Sequence, residues 1–289
     1  MGKETIREFP RVETVLDGYG LGTNVGRPAL CAITLVEGHD AEGKPTRILI
    51  DTGHVGRREV LASSMAERGI ELAEIDMVLL THAHWDHIQN VDMFAKASLL
   101  MHPDEYEYSL NPHPKEFGTP PWTRAVLDRQ PVRPVVEGEE LIPGVRVVEL
   151  PGHTVGSIGL SVETPSGCAV VAGDALHFAH VAHSRRNPIV FWDTELSTQS
   201  IDRVLEMADV VYPGHDRPFR ITEAGEVEYE RPFGLSLSGV SPDQPELRFE
   251  PPHGPWTMGA DDILEANKKV FRERAAVRSQ VRAQMQETS

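Results

Sequence analysis

Cysteine is scarce in this chain: two in 289 residues, Cys31 and Cys168. Both lie inside apolar runs, so buried free thiols are the expectation, with a disulfide between them as the alternative, though nothing points to an oxidising compartment. Positive charge is also short. Twenty-eight Lys and Arg stand against 44 Asp and Glu, a formal net charge of −16. Nucleic acid and anionic membranes demand clustered Lys and Arg, so neither is expected as a partner. No run of about 18 apolar residues occurs, which excludes a membrane-spanning helix. The polar start Met1-Gly2-Lys3-Glu4 lacks the apolar core of a secretion signal, and a cytoplasmic location is the expectation. The 40% hydrophobic content is enough to build a sizeable core at this length.

Histidine, by contrast, is concentrated. Thr81-His82-Ala83-His84-Trp85-Asp86-His87 places four metal-ligating side chains within six positions. The segment follows Met77-Val78-Leu79-Leu80, which reads as a short buried strand. Side chains alternate along an extended backbone, so His82 and His84 can point the same way. Asp86 and His87 fall where the chain turns toward a helix. One ion has room for two or three of these groups, so the cluster suggests two ions. Three further candidates each follow an apolar run and a Gly or Pro-Gly: His153 in Pro151-Gly152-His153, Asp174 in Gly173-Asp174, and His215 in Pro213-Gly214-His215. A ligand on a tight turn at a strand end is held by rigid backbone yet open to a cleft.

Around these points the chain alternates strands and helices twice. A strand is expected near Val12–Leu16, a hairpin from Ala29–Glu37 and Thr46–Asp51, a helix over Arg57–Arg68 stopped by Gly69, and a motif strand over 77–81. A helix over Val91–Lys96 and a strand over Ala97–Met101 follow. The proline- and aromatic-rich stretch 103–135 reads as an insertion over the site. Strands at Arg133–Val136, Val145–Leu150, Ile158–Glu163, Cys168–Ala172 and Val210–Tyr212, with a helix at Ser197–Met207 capped by Ser197, complete the second half. Two sheets with helices outside suit this pattern. The expected organisation is a catalytic domain over 1–220 and an extension over 221–289 ending in a long helix, Asp261–Met285, packed on its own domain or serving a homodimer contact.

The order His-x-His-x-Asp-His, followed by His153, Asp174 and His215, resembles the metallo-β-lactamase superfamily over residues 30 to 220. Within it the site is similar to that of N-acyl homoserine lactone lactonases. The resemblance implies an α/β fold, the four-layer αβ/βα sandwich, with the metal site along one sheet edge. It implies that His82, His84 and His153 hold one ion, that Asp86, His87 and His215 hold another, and that Asp174 bridges them. The cofactor implied is two divalent metal ions, zinc first, with iron or manganese as alternatives. The activity implied is hydrolysis of a small ester, a lactone before others, by a hydroxide shared between the ions, with Asp174, Asp86 and His177 as catalytic residues. His177, three residues after Asp174, stands where similar lactonases carry a polar ring residue on the carbonyl oxygen. Asp51 is the expected partner of a ligand histidine, and Thr154 and Ser157 are expected to orient His153. Trp122, Phe178, Phe191 and Trp192 are candidate apolar walls for the substrate. The alternatives are a thioesterase or phosphotriester hydrolase on the same site, and a mononuclear iron persulfide dioxygenase. Ile88-Gln89-Asn90 after the motif, and Trp85 within it, depart from the small residues common in the family.

Overall fold

The computed structural model describes residues 9–22, 26–114, 116–232 and 234–235. The helix expected over 261–285 lies outside the described residues, as does most of the extension.

Alternation along the strands decides which side chains meet. In Pro45–Ile50, Ile48 and Ile50 face one way and Leu49 the other. Met77–Leu79 repeats this, with Leu79 on the side of Ile48 and Val78 on the side of Leu49. In Gly167–Gly173, Ala169 and Val171 face the same cluster as Ile48, while Val170 and Ala172 face away from it. Strands buried on both faces read as continuous apolar runs, which is how these appear in the sequence.

Among the described residues, thirteen strands make two sheets. The first contains β1 (Arg11–Leu16), β2 (Ile33–His39), β3 (Pro45–Ile50), β4 (Met77–Leu79), β5 (Ser98–Met101) and β6 (Val132–Pro134) in sequence order. β1 to β3 pair antiparallel and β3 to β6 parallel. The second contains β7 (Glu140–Ile142), β8 (Val145–Glu149), β9 (Ile158–Thr164), β10 (Gly167–Gly173), β11 (Val210–Pro213), β12 (Phe219–Ile221) and β13 (Val227–Tyr229), again in order. There only β10 and β11 pair parallel, because the long crossover between them carries a helix.

The sheets stack through Val36, Ile48, Ile50, Leu79 and Leu100 on one side and Val147, Ile158, Leu160, Val162 and Val171 on the other. The helices are α1 (Arg58–Glu67), α2 (Trp85–Ile88), α3 (Pro103–Ser109), α4 (Thr123–Leu127), α5 (Val181–Ser184) and α6 (Thr194–Met207). Leu61 and Met65 of α1 cover the outer face of the first sheet, and Ile201 and Val204 of α6 that of the second. The layers therefore run helix, sheet, sheet, helix, as the resemblance implies.

Several local expectations change. The motif strand stops at Leu79, and Thr81 instead links the sheets by accepting the Ile158 N–H at 2.9 Å. Val91–Phe94 is a 3-10 turn rather than a helix to Lys96. α6 begins before Ser197, since the Asp193 carboxylate caps it by accepting from Glu195 N at 2.8 Å and Leu196 N at 3.0 Å. Asp is as good an N-cap as Ser, and it comes first in the chain. β12 and β13 carry the second sheet past residue 220. Both cysteines are free; Cys31 is fully buried, whereas Cys168, at the start of β10, is only half-buried. Among the described residues no helix is long and apolar enough to cross a membrane.

Candidate metal centre

Four strands end at one edge of the sandwich, and the chain leaving each carries a candidate ligand. His82 and His84 follow β4, with Asp86 and His87 in the adjoining turn of α2. His153 follows β8, Asp174 follows β10 and His215 follows β11. The glycines beside them keep these turns close. Gly173 adopts φ +51, and a Cβ on Gly214 would lie 2.0 Å from Asp174 Oδ1.

All seven side chains are buried. Ligand atoms of His82, His84, His153 and Asp174 lie within 4.8 Å of one another, and so do those of Asp86, His87 and His215. Asp174 reaches both groups. Its Oδ2 is 3.5 Å from His153 Nε2 and 3.3 Å from His215 Nε2, and its Oδ1 is 3.4 Å from His87 Nε2. The two sets are the ones the resemblance implies.

Hydrogen bonds on the far side of each ring fix which nitrogen is free. His87 Nδ1 donates to Asp51 Oδ2 at 2.7 Å. His82 Nδ1 lies 3.0 Å from the Thr81 hydroxyl, which itself donates to Asp51 Oδ2 at 2.8 Å. Asp51 thus orients two imidazoles, one directly and one through Thr81, and holds the Thr81 N–H at 2.8 Å as well. His153 Nδ1 donates to the Ile189 carbonyl at 2.9 Å and His215 Nδ1 to the Leu30 carbonyl at 3.1 Å. Carbonyl and carboxylate oxygens only accept, so in each neutral ring the nitrogen facing the centre bears a lone pair.

Those lone pairs converge on one another. His84 Nδ1 and His153 Nε2 are 3.0 Å apart. His82 Nε2, His87 Nε2 and Asp174 Oδ1 are buried without a hydrogen-bond partner. Buried polar atoms are ordinarily paired, and a ring of unpaired acceptors is what a cation satisfies. The donors, neutral imidazoles and carboxylates, suit zinc and also iron or manganese.

Electrostatics divide the rings. Burial, reinforced by His87 and His84, holds His82 well below the ordinary imidazole range. Burial, reinforced by His84, does the same for His153. Burial opposes charge on His87 and His215 too, yet it is outweighed at His87 by Cys31, Asp86, Asp174 and Asp51, and at His215 by Asp174 and Asp86, so both are raised. Burial would raise Asp174, but the surrounding His177, His215 and His87 hold it well below the usual carboxylate range. A poised carboxylate among mixed imidazoles marks a functional cluster.

Other expectations divide. Thr154 and Ser157 bond each other at 2.7 Å and do not orient His153, whose Nδ1 takes the Ile189 carbonyl instead. His177 is buried, with Nδ1 3.1 Å from Asn187 Oδ1 and Nε2 3.0 Å from Asp174 Oδ2. Phe191 is buried and packs edge-on against His84, at 5.0 Å between centroids, and against His153. Trp122 is 43% exposed. Phe117, one of the aromatics of the insertion, packs on Phe191 at 5.4 Å.

Three supporting residues had no sequence signal. Asn187 fixes His177 and bonds the carbonyls of Asp174 and Ala175 at 3.1 and 2.7 Å. Glu105 accepts from Ala83 N and Gly156 N, each at 2.9 Å, tying the motif to the His153 loop. Glu116 holds His84 Nε2 at 3.1 Å. Each lies far in sequence from the group it serves.

The fold and this cluster define a class: sandwich hydrolases with a His-x-His-x-Asp-His centre at the sheet edge. The match is specific. Residues 26–215 fit the model of the metallo-beta-lactamase superfamily, and the chain belongs to that family. A relative from Xenopus laevis named metallo-beta-lactamase domain-containing protein 1 is 31% identical over 221 residues, covering 75% of this chain and 84% of the frog protein. Its human namesake is 35% identical over 187 residues, and the match covers 63% of each. An N-acyl homoserine lactonase from Bacillus thuringiensis is 26% identical over 51% of this chain and 58% of its own. Among solved structures, a dizinc quorum-quenching lactonase with a product bound superposes with a TM-score of 0.55 at 18% identity, over 71% of this chain and 81% of its own.

Proposed function

We propose that this chain is a dinuclear metal-dependent hydrolase that opens a small ester, a lactone before others. Membership of the family supports the coarse reading, a metal-dependent hydrolase. The observation that carries the dinuclear reading is the pair of converging acceptor sets that share Asp174. A single-iron oxygenase would use two imidazoles and one carboxylate, and would leave the Asp51-braced His87 without a task.

His82, His84 and His153 would hold one ion, Asp86, His87 and His215 the other, and Asp174 both. Ions bound there supply Lewis acidity and make water acidic enough to act near neutral pH. The chain supplies the rest. Phe191, backed by Phe117, lines the His84 side with apolar surface, which suits a ring or acyl chain over a bare polyanion. His177, oriented by Asn187 Oδ1 at 3.1 Å from its Nδ1, brings Nε2 to 3.0 Å from Asp174 Oδ2 and so stands beside the centre, where it can help to hold the carbonyl oxygen or the leaving alkoxide. The acyl C–O bond breaks, the alkoxide takes up a proton, and a hydroxy acid leaves.

The lactonase relative, at 26% identity, supports a lactone as substrate, and the net charge of −16 weighs against RNA. The test is a metal count on protein purified without chelator, then a pH-stat assay on N-acyl homoserine lactones, simple γ- and δ-lactones, a thioester, a phosphotriester and a β-lactam. Two ions with lactone opening is the expected result. Two ions with rapid cleavage of only the thioester or phosphotriester would overturn the lactone assignment, and one iron per active chain would overturn the dinuclear one.

A further inference from the structure

Five imidazoles face the candidate metal centre from the ligand positions, and four of them find the acceptor for their outer N–H within the sandwich itself: Thr81, Asp51 and the carbonyls of Ile189 and Leu30. His84 differs on both counts. It donates from Nε2 rather than Nδ1, and its acceptor comes from the insertion. Glu116 Oε1 lies 3.1 Å from His84 Nε2 and also accepts the Thr119 hydroxyl at 2.8 Å, while Oε2 accepts the Tyr108 hydroxyl. The carboxylate is 4% exposed. A carboxylate this buried is tolerated when its oxygens are saturated with donors, and His84 is one of the three that do so.

The neighbouring residues of the same loop bear on the same place. The Gly118 carbonyl accepts the Trp85 N–H at 2.9 Å. A Cβ on Gly118 would come within 2.6 Å of the His84 ring, so only glycine lets the loop lie against it. Residues 116–119 are thus shaped around one imidazole. Because Glu116 can only accept, His84 keeps its proton on Nε2 and turns the Nδ1 lone pair toward His153 Nε2, 3.0 Å away.

We propose that Glu116 is a positioning residue for His84, and that through it the insertion sets how tightly the His82, His84, His153 and Asp174 half of the centre retains its metal. This rests on the metal-centre reading given above. It adds that an element outside the two sheets contributes to one of the two half-sites.

The test uses full-length protein with Glu116→Leu, which removes the acceptor, and Glu116→Gln, which keeps a neutral one in similar volume. Zinc is counted and each ion is titrated against a competing chelator. Wild type should bind two ions. In Glu116→Leu one of the two affinities should fall about 10–100-fold, the scale for loss of a ligand's outer partner, with the other nearly unchanged; Glu116→Gln should fall less. A purely structural role would instead weaken both ions together along with Tm. In metal-free wild type, long-range 1H–15N correlation spectra should show the His84 proton on Nε2, a readout that does not depend on either variant folding. Wild type that binds no zinc would overturn the metal-centre reading itself. Wild type that binds two ions, with both variants matching it or with His84 lacking a proton on Nε2, would overturn the Glu116 proposal alone.

Discussion

Asp51→Asn isolates the role of the carboxylate beneath the site. Asp51 sits at φ +60, in the left-handed region that Asp and Asn both tolerate, so the backbone should hold. The change is confined to one oxygen. In the native protein Oδ1 accepts the Thr81 N–H at 2.8 Å, and Oδ2 accepts the His87 Nδ1 proton at 2.7 Å and the Thr81 hydroxyl at 2.8 Å. Asn has one acceptor where Asp has two. If its NH2 takes the Oδ2 position it faces His87, which must then put its proton on Nε2, the atom aimed into the centre. If its NH2 takes the Oδ1 position it meets the Thr81 N–H donor to donor. Either way a charge-assisted bond is lost, and losing such an outer partner weakens a metal site about 10–100-fold, or roughly 1.4–2.8 kcal/mol. The ion at Asp86, His87 and His215 should suffer most, since His82 feels Asp51 only through Thr81. Chelator competition on the zinc-loaded variant, with far-UV CD to confirm the fold, reads this out. A folded variant that holds both ions at wild-type affinity would refute the reasoning.

Asp174→Asn should keep the fold and lower kcat by about 10²–10³-fold, the cost of removing one preorganised electrostatic group; activity within a few-fold with both metals bound would show that Asp174 does not bridge. The metal-free protein should be most stable near pH 6.5. Below that, His82 and His153, held neutral when folded, favour the unfolded chain, which takes up their protons; above it, the raised His87 and His215 lose stabilising protons as pH climbs through their folded values. The zinc-loaded protein, its imidazoles kept neutral, should instead gain stability with pH through this range, so thermal melts of both forms from pH 5 to 9 check the sign. Phe117→Ala, through its contact with Phe191, should raise KM for long-chain lactones more than for short ones without changing metal content, whereas Trp122→Ala, without a described contact to the centre, should leave KM unchanged; the pH-stat assay compares them. Glu105→Gln should lower Tm by several degrees, because its NH2 must face the N–H of either Ala83 or Gly156.

Much of this molecule is local in origin, and that part the sequence determined by itself. A strand buried on both faces must be apolar throughout, so β3, β4, β10 and β11 are visible as runs such as Val210-Val211-Tyr212. The turn that ends such a strand needs Gly, and a ligand on that turn needs His or Asp, so His153, Asp174 and His215 stand beside their glycines in the linear chain. Asp51 was legible for the same reason, as a carboxylate at a strand end. What lay beyond reach was the choice of partner across the fold. Glu116 and Asn187 look like ordinary polar loop residues, and they acquire meaning only when chain closure brings them to rings 32 and 10 residues away. The preference of His153 for the Ile189 carbonyl over the adjacent Thr154 and Ser157 was likewise decided by tertiary structure. A hydrogen bond is set by distance and angle in space, and spacing along the chain constrains those only within a strand, a turn or a helix. The candidate ligands were therefore readable in the sequence, while the bonds that tell each imidazole which nitrogen to offer came into being only with the packed fold.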